Sequence, residues 1–332
     1  MLINRRTFIA ASIGAALLAS AVPATAATTL NLSELYPEGN FMTQNAIAFA
    51  AAVKDATQGR VIIDVKPGGA LGFKGPEHLH AVADGLVPMA DILTSQQQGV
   101  EPLLGTETIP FLISNYDDLR ALHAVLRPKY DEVAAKNHQK ILYMVPSPLQ
   151  YIYLKNEVKD VDGLRGIKIR GADKTTVDIW NAVGMAGVQI PFAELIPALA
   201  SGRVESVSTS ATTGVDSKFW EFMKYIYPTN HTWSCNMVTI NTDVWKKLSP
   251  EDQQIIEKVA KDMEPGFWKV SEKADLDALK MMKDQGMIVV DIPEPMMKAI
   301  RDRAAPMQEE FLKRVPEARP VVEQYLKSVG RE

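Results

Sequence analysis

The chain has 332 residues, 46% hydrophobic and 23% charged, enough for two domains of ordinary size. A formal net charge of −4 leaves no basic footprint of the kind nucleic acid requires. Its single cysteine, Cys235, excludes an internal disulfide, so burial of apolar surface must supply the stability.

The first feature along the chain is a targeting segment. Arg5 and Arg6 precede the apolar run IAASIGAALLASAV and a small-x-small site, Ala24-Thr25-Ala26. This pattern predicts a secretory signal over residues 1–26, cut after Ala26. The run is shorter than a membrane span. Its two arginines fit either a twin-arginine or a general secretory signal. No cysteine follows the cut, so no lipid anchor is expected, and the mature protein is read as periplasmic.

The mature chain then alternates strands and helices. Residues 28–35 read as a strand, 41–57 as a helix closed by Gly59, and 60–65 as a second strand. The loop PGGALGFKG follows, then a helix at 77–83 and a strand at 89–93. Ser114 and Asp117 predict a capping box for a helix reaching Leu126, with strands at 141–145 and 151–155 after it. From Lys168 a β-α-β-α-β succession predicts a second, parallel sheet: strands 167–170, 187–190 and 204–207 around helices at 174–183 and near 197–201. Pro197 fits the second of those helices if it stands at the first helical position. One more strand is expected at 236–240. A helix starting at Ser249-Pro250 is expected to run to about residue 285 with a kink at Pro265-Gly266, and two short helices close the chain. The expected fold class is α/β.

Few motifs carry chemistry. PGGALGFKG lacks the spacing of a phosphate loop and reads as a turn on a cleft rim. His123, His138 and His231 lie far apart in sequence, with no neighbouring cysteine or carboxylate pattern, so neither metal nor cofactor is expected. No GxSxG, HExxH or Cys-His arrangement is present, which leaves enzyme chemistry unsupported rather than excluded. Two stretches stand out. In GLRGIKIRGAD, residues 163–173, Ile167 and Ile169 face one way while Arg170 ends the strand opposite them, ahead of Asp173, an N-cap residue. That is where open α/β sheets bind ligands, although a surface arginine has the same pattern. Between Ser206 and Thr213 lie six hydroxyl side chains, read as a polar loop before a helix containing Trp220, with either a capping or a ligand-facing role.

PGGALG, GIKIRG, IPFAELIPALASGRVESV and VTINTDVWKKL together resemble the solute receptors of TRAP transporters, the DctP type. TSxxTGxDSKxWE, from Thr209 to Glu221, resembles one subgroup. The resemblance implies two α/β lobes joined by crossing strands, with a long helix spanning both. The implied division is 27–147 for lobe I, 148–234 for lobe II, 235–274 for the return to lobe I, and 275–332 for the long-helix end and C-terminal helices on lobe II. It also implies a monomer that binds a small organic acid and hands it to the small and large membrane subunits of a permease. In the family the arginine ending the KIR strand holds the ligand carboxylate; here that is Arg170. A second arginine common in the family is replaced by Gln150, and the family's site asparagine falls at Thr209 and Ser210. These departures favour a ligand with one carboxylate. Trp233, in a crossing segment, is a candidate cleft wall. The rival expectation is an exported enzyme, such as a hydrolase, using the same cleft.

Overall fold

The computed structural model describes residues 27–331; the expected signal lies outside them. The first part of the chain forms β1 (Thr28–Ser33), α1 (Phe41–Ala56), β2 (Val61–Lys66), α2 (His78–Ala83), β3 (Met89–Leu93), α3 (Tyr116–Lys136) and β4 (Gln139–Pro146). The second holds β5 (Gln150–Leu154), β6 (Lys168–Gly171), α4 (Lys174–Val183), β7 (Ala186–Gln189), α5 (Leu195–Ala200), β8 (Ser206–Ser210), α6 (Ala211–Asp216) and β9 (Tyr225–Tyr227). The last contains β10 (Cys235–Asn241), α7 (Thr242–Trp245), α8 (Pro250–Asp284), β11 (Ile288–Val289), α9 (Glu294–Ala304), α10 (Pro306–Arg314) and α11 (Arg319–Ser328).

These strands make two sheets, β2-β1-β3-β10-β4 and β11-β9-β5-β8-β6-β7. Parallel pairs (β1 with β2 and β3, β6 with β7 and β8) carry the β-α-β units. Helices cover such strands on both faces, which is why all five residues of β3 are buried. The chain crosses between sheets twice, over residues 147–149 and again over 228–234, so β10 returns antiparallel between β3 and β4. The third link is α8. Its Ile256, Ala260 and Phe267 join the core over β1 and β4, while Ala278 and Met282 join the core over β5 and β8.

Several boundaries differ from those expected. Asn115 caps α3, accepting the Asp118 N–H at 2.9 Å, and the helix continues past Pro128 because Leu126, Tyr130 and Val133 are buried on either side of it. Helix α8 runs through Pro265 as the single long helix expected, from Pro250 to Asp284. Just beyond the proline, Trp268 Nε1 donates to Met144 O (3.0 Å) and Ser271 Oγ to Pro146 O (2.7 Å). Helix α5 begins at Leu195, so Pro197 sits in the first turn, where a missing N–H costs nothing. The hydroxyl-rich stretch is largely strand β8, and Trp220 lies in a 3₁₀ turn rather than in the helix. The C-terminal helices also divide. Met297 and Ile300 of α9 join the second lobe's core, whereas Val321, Val322 and Tyr325 of α11 join the first lobe's core beside α3. Tyr325 Oη fixes that docking by donating to Leu112 O at 3.0 Å.

Candidate functional site

Strand β6 ends where its parallel neighbours end, with the first turn of α4 directly ahead. Gly171 permits that approach: a Cβ there would stand 2.9 Å from Val177 Cγ2 and 3.1 Å from Val177 N. Asp173 caps α4 by accepting the Thr176 N–H at 2.9 Å. This packing buries Arg170, whose side chain is the largest charged group in the interior at 2% exposure. Nε donates to Ile190 O at 2.8 Å. Among the described residues no carboxylate forms an ion pair with the guanidinium; Asp173 and Tyr36 act on it only through their fields. Burial lowers Arg170 to about 10, which leaves it cationic at neutral pH.

The guanidinium faces a cavity of about 50 Å³ between the lobes. Tyr36, Ser95 and Gln96 line it from the first lobe, and Asp173, Thr176 and Ser208 from the second. Gln150, Thr209 and Ser210 are there too. Antiparallel pairing sets Gln150 opposite Ser210 and Tyr151 opposite Thr209, which delivers all three predicted polar groups to one wall. Gln150 Nε2 donates to Pro148 O (2.7 Å), and Ser210 caps α6, its Oγ accepting from Thr213 N at 3.4 Å.

Trp233 is not part of this wall. Its neighbours Thr232 and Ser234 line the cavity, and alternation along an extended segment turns the residue between them the other way. The indole lies in the first lobe's core, edge-on to Tyr116 at 4.9 Å, with Nε1 donating to Ile113 O at 3.1 Å. Thr232 and Ser234 were the readable signal, flanking an aromatic that drew attention to itself. Tyr36, Ser95, Gln96 and Ser147 come from loops and strand ends whose convergence no spacing announces.

Interlobe contacts hold the cleft closed. Asn40 Nδ2 donates to Asp216 Oδ2 (2.5 Å) and Thr175 Oγ1 to Gln98 Oε1 (2.8 Å), while Lys74 pairs with Glu194 (2.8 Å). A broader hollow of about 790 Å³ lies elsewhere, over α8 and β4. Its Arg127 and Lys140 are already paired with Glu264 and Glu257, so it offers no uncommitted buried cation.

One cluster contradicts the reading of the histidines as companionless. His123 lies against Glu107, and its Nε2 is 3.2 Å from Cys235 Sγ, all three buried. These are metal-ligand atoms, but only three, one short of a closed structural zinc site. Burial and then Glu107 raise the Cys235 thiol, keeping it a donor, and Thr94 Oγ1 reaches Glu107 Oε2 at 3.4 Å. Donors match acceptors, so the cluster works as a hydrogen-bonded knot in the core.

Residues 32–314 match DctP, the bacterial extracellular solute-binding proteins of family 7. The chain belongs to that family. Its TRAP receptors are periplasmic solute-binding proteins rather than enzymes, and the two lobes with their shared long helix are the family's architecture. A marine metagenome TRAP solute-binding protein described as specific for pyroglutamate, solved with that ligand, is 31% identical, with a TM-score of 0.87 over 91% of this chain and 99% of that one. DctP7 of Bordetella pertussis, a receptor binding pyroglutamic acid, is 26% identical, also at 0.87, over 90% and 99%. An uncharacterized Sinorhizobium fredii protein is 31% identical over 88% of this chain, which spans only 54% of that longer relative.

Proposed function

We propose that this DctP-family chain is the receptor of a TRAP transporter for a small monocarboxylate of the pyroglutamate kind. The observation that carries the reading is the Arg170 guanidinium, buried at the cleft with one nitrogen bonded to Ile190 O and, among the described residues, no carboxylate paired to it. A planar guanidinium can grip a carboxylate through two parallel hydrogen bonds, which fixes orientation as well as charge. Gln150, Thr209 and Ser210 would bond the ligand's remaining polar atoms. Neutral Gln150 leaves Arg170 as the lone cation on this wall, so one carboxylate is matched and a second is not. Two similar receptors that bind pyroglutamate add support. The partners on this reading are the small and large membrane subunits of the permease, reached by a monomer exported on the signal of residues 1–26.

An enzymatic reading has one observation to answer. Ser208 Oγ lies 2.9 Å from His231 Nε2 and lines the cavity, as a nucleophile and its base would. Burial pushes His231 down to about 3, however, and its Nδ1 meets the Thr229 hydroxyl (2.8 Å) instead of a carboxylate. So weak a base positions the serine without activating it. Titration calorimetry with pyroglutamate, followed by recovery of the ligand, tests both readings. Binding with unchanged ligand is expected; a hydrolysed product, or no binding by any small monocarboxylate, defeats the receptor reading.

A further inference from the structure

Two carboxyl groups meet beside the cavity. Glu34 follows β1 and Asp91 lies in β3; the strands run parallel with Ser33 opposite Ala90, which brings the next residues side by side. Glu34 is fully buried and Asp91 is 3% exposed. Among the described residues, neither forms an ion pair with a cation.

Their hydrogen bonds locate a proton. Glu34 Oε1 accepts the Tyr36 N–H at 3.1 Å, and Asp91 Oδ1 accepts from Asn236 Nδ2 at 2.5 Å. Glu34 Oε2 is buried, and among the described residues no donor faces it. A proton on Glu34 would turn that orphan oxygen into a donor toward Asp91, the carboxyl beside it in the neighbouring strand. Burial raises both groups, and the bond between them raises Glu34 while lowering Asp91, which agrees with that order. This arrangement suits one shared proton and one negative charge, with the charge on Asp91.

A charge on Asp91 would reach the cavity through two neighbours, although neither carboxyl lines it. Asn236 Oδ1 accepts from Ser147 Oγ (3.4 Å), and Ser147 lines the cavity wall. Tyr36, also on the wall, lies in the fields of Asp91, Glu34 and Arg170 together. Tyr143 is the other titratable side chain facing the pair, and burial keeps its phenol protonated; His78 reaches only the Asp91 backbone carbonyl, at 2.8 Å. Asp173, which lines the cavity itself, is the carboxyl whose field acts on Arg170.

We propose that the Glu34–Asp91 pair determines specificity by charge, confining the ligand to one carboxylate; this rests on the reading of Arg170 as that carboxylate's partner. Arg170 neutralises one ligand charge. A second carboxylate in so small a cavity would lose its water, find no cation and face the charge on Asp91.

Glutarate and its monoamide glutaramate share a heavy-atom skeleton and differ by one charge, so calorimetry with the two, alongside pyroglutamate, isolates the effect. Wild type should favour the monoamide. Asp91→Asn should shrink that preference roughly tenfold, the scale of one partly screened unit charge nearby. Glu34→Gln should preserve it, because a glutamine still donates to an ionised Asp91. Equal preferences in wild type and Asp91→Asn, with binding intact, overturn this proposal alone. Failure of wild type to bind all three ligands overturns the receptor reading and this proposal with it. The infrared difference between wild type and Glu34→Gln should contain a protonated-carboxyl band at neutral pH, and its absence would also reject the shared proton.

Discussion

Lys74 and Glu194 meet across the mouth of the cleft, Nζ to Oε1 at 2.8 Å, each contributed by a different lobe. The pair is exposed and screened, so it is a weak fastener alone. Asn40 and Asp216 add a more sheltered one: Asn40 caps α1 through the Met42 N–H (2.8 Å) while its amide donates to Asp216 on α6. Both contacts bridge the two lobes.

Loosening them should therefore shift the opening equilibrium without touching the ligand wall. Lys74→Ala with Asp216→Ala is expected to raise the ligand-free radius of gyration in X-ray scattering and to weaken binding several-fold, as a smaller closed population demands. The ligand-saturated form should match wild type. Unchanged scattering without ligand would mean these contacts do not hold the lobes.

Arg170 makes a sharper prediction because it sits inside a low-dielectric wall. Arg170→Ala should cost about 2–5 kcal/mol of binding, since the ligand carboxylate would be left desolvated and unpaired. Arg170→Lys should recover little, because an ammonium cannot supply two coplanar donors. Removing a buried, unpaired cation should not lower the melting temperature of the ligand-free protein. Calorimetry combined with thermal unfolding separates these outcomes; wild-type affinity in Arg170→Ala would end the account of the site.

The strand end at Arg170 and the helix start at Asp173 were legible from alternation and capping, but a surface arginine has the same pattern, and the ligand-binding role came from the family resemblance. The β-α-β rhythm after Lys168 was legible for the same reason, each element carrying its own period and punctuation. Tertiary packing decided the rest. Pro265 predicts a kink within one long helix, and Pro128 lies beyond the expected end of its helix, yet buried residues on both sides carry each helix through. The descent of α11 onto α3 depends on Tyr325 finding a carbonyl 213 residues away. Glu34 and Asp91 became neighbours through strand order, which no spacing in the chain records.

Trp233 belongs to the first lobe's core and not to the cleft wall. As a core residue it should affect stability: Trp233→Ala should lose about 3–5 kcal/mol in urea unfolding, and Trp233→Phe less. Ligand affinity of the folded Trp233→Phe protein should stay within twofold of wild type. A large affinity loss with intact stability would return the residue to the cleft.

The cluster of Glu107, His123 and Cys235 should need no metal. With the three groups already bonded to one another, chelation is expected to leave the melting temperature unchanged, while Cys235→Ala should lower it by leaving Glu107 short of a donor. A melting temperature that falls on chelation and recovers with zinc would show that the knot is a ligand set after all.

Asp275 gives the clearest dependence on pH. It lies on α8, where Tyr151 Oη donates to its Oδ2 at 2.5 Å while Oδ1 is buried without a donor. Burial raises this carboxyl from 3.8 to about 6, and the tyrosine only partly offsets the rise. The folded state thus holds the proton more tightly than the unfolded chain does. Its contribution to stability is fully present below about pH 4, declines as pH rises, and is lost above about 6. A shift of that size corresponds to roughly 3 kcal/mol. Asp275→Asn keeps an acceptor for Tyr151 and removes the titration. In urea unfolding the variant should be more stable than wild type at pH 7.5 and nearly equal to it at pH 4. Asp91 is raised in the same direction, so some gain on acidification should persist in the variant with a smaller amplitude. A stability difference of the same size at both pH values would show that packing, not ionisation, sets the cost of Asp275.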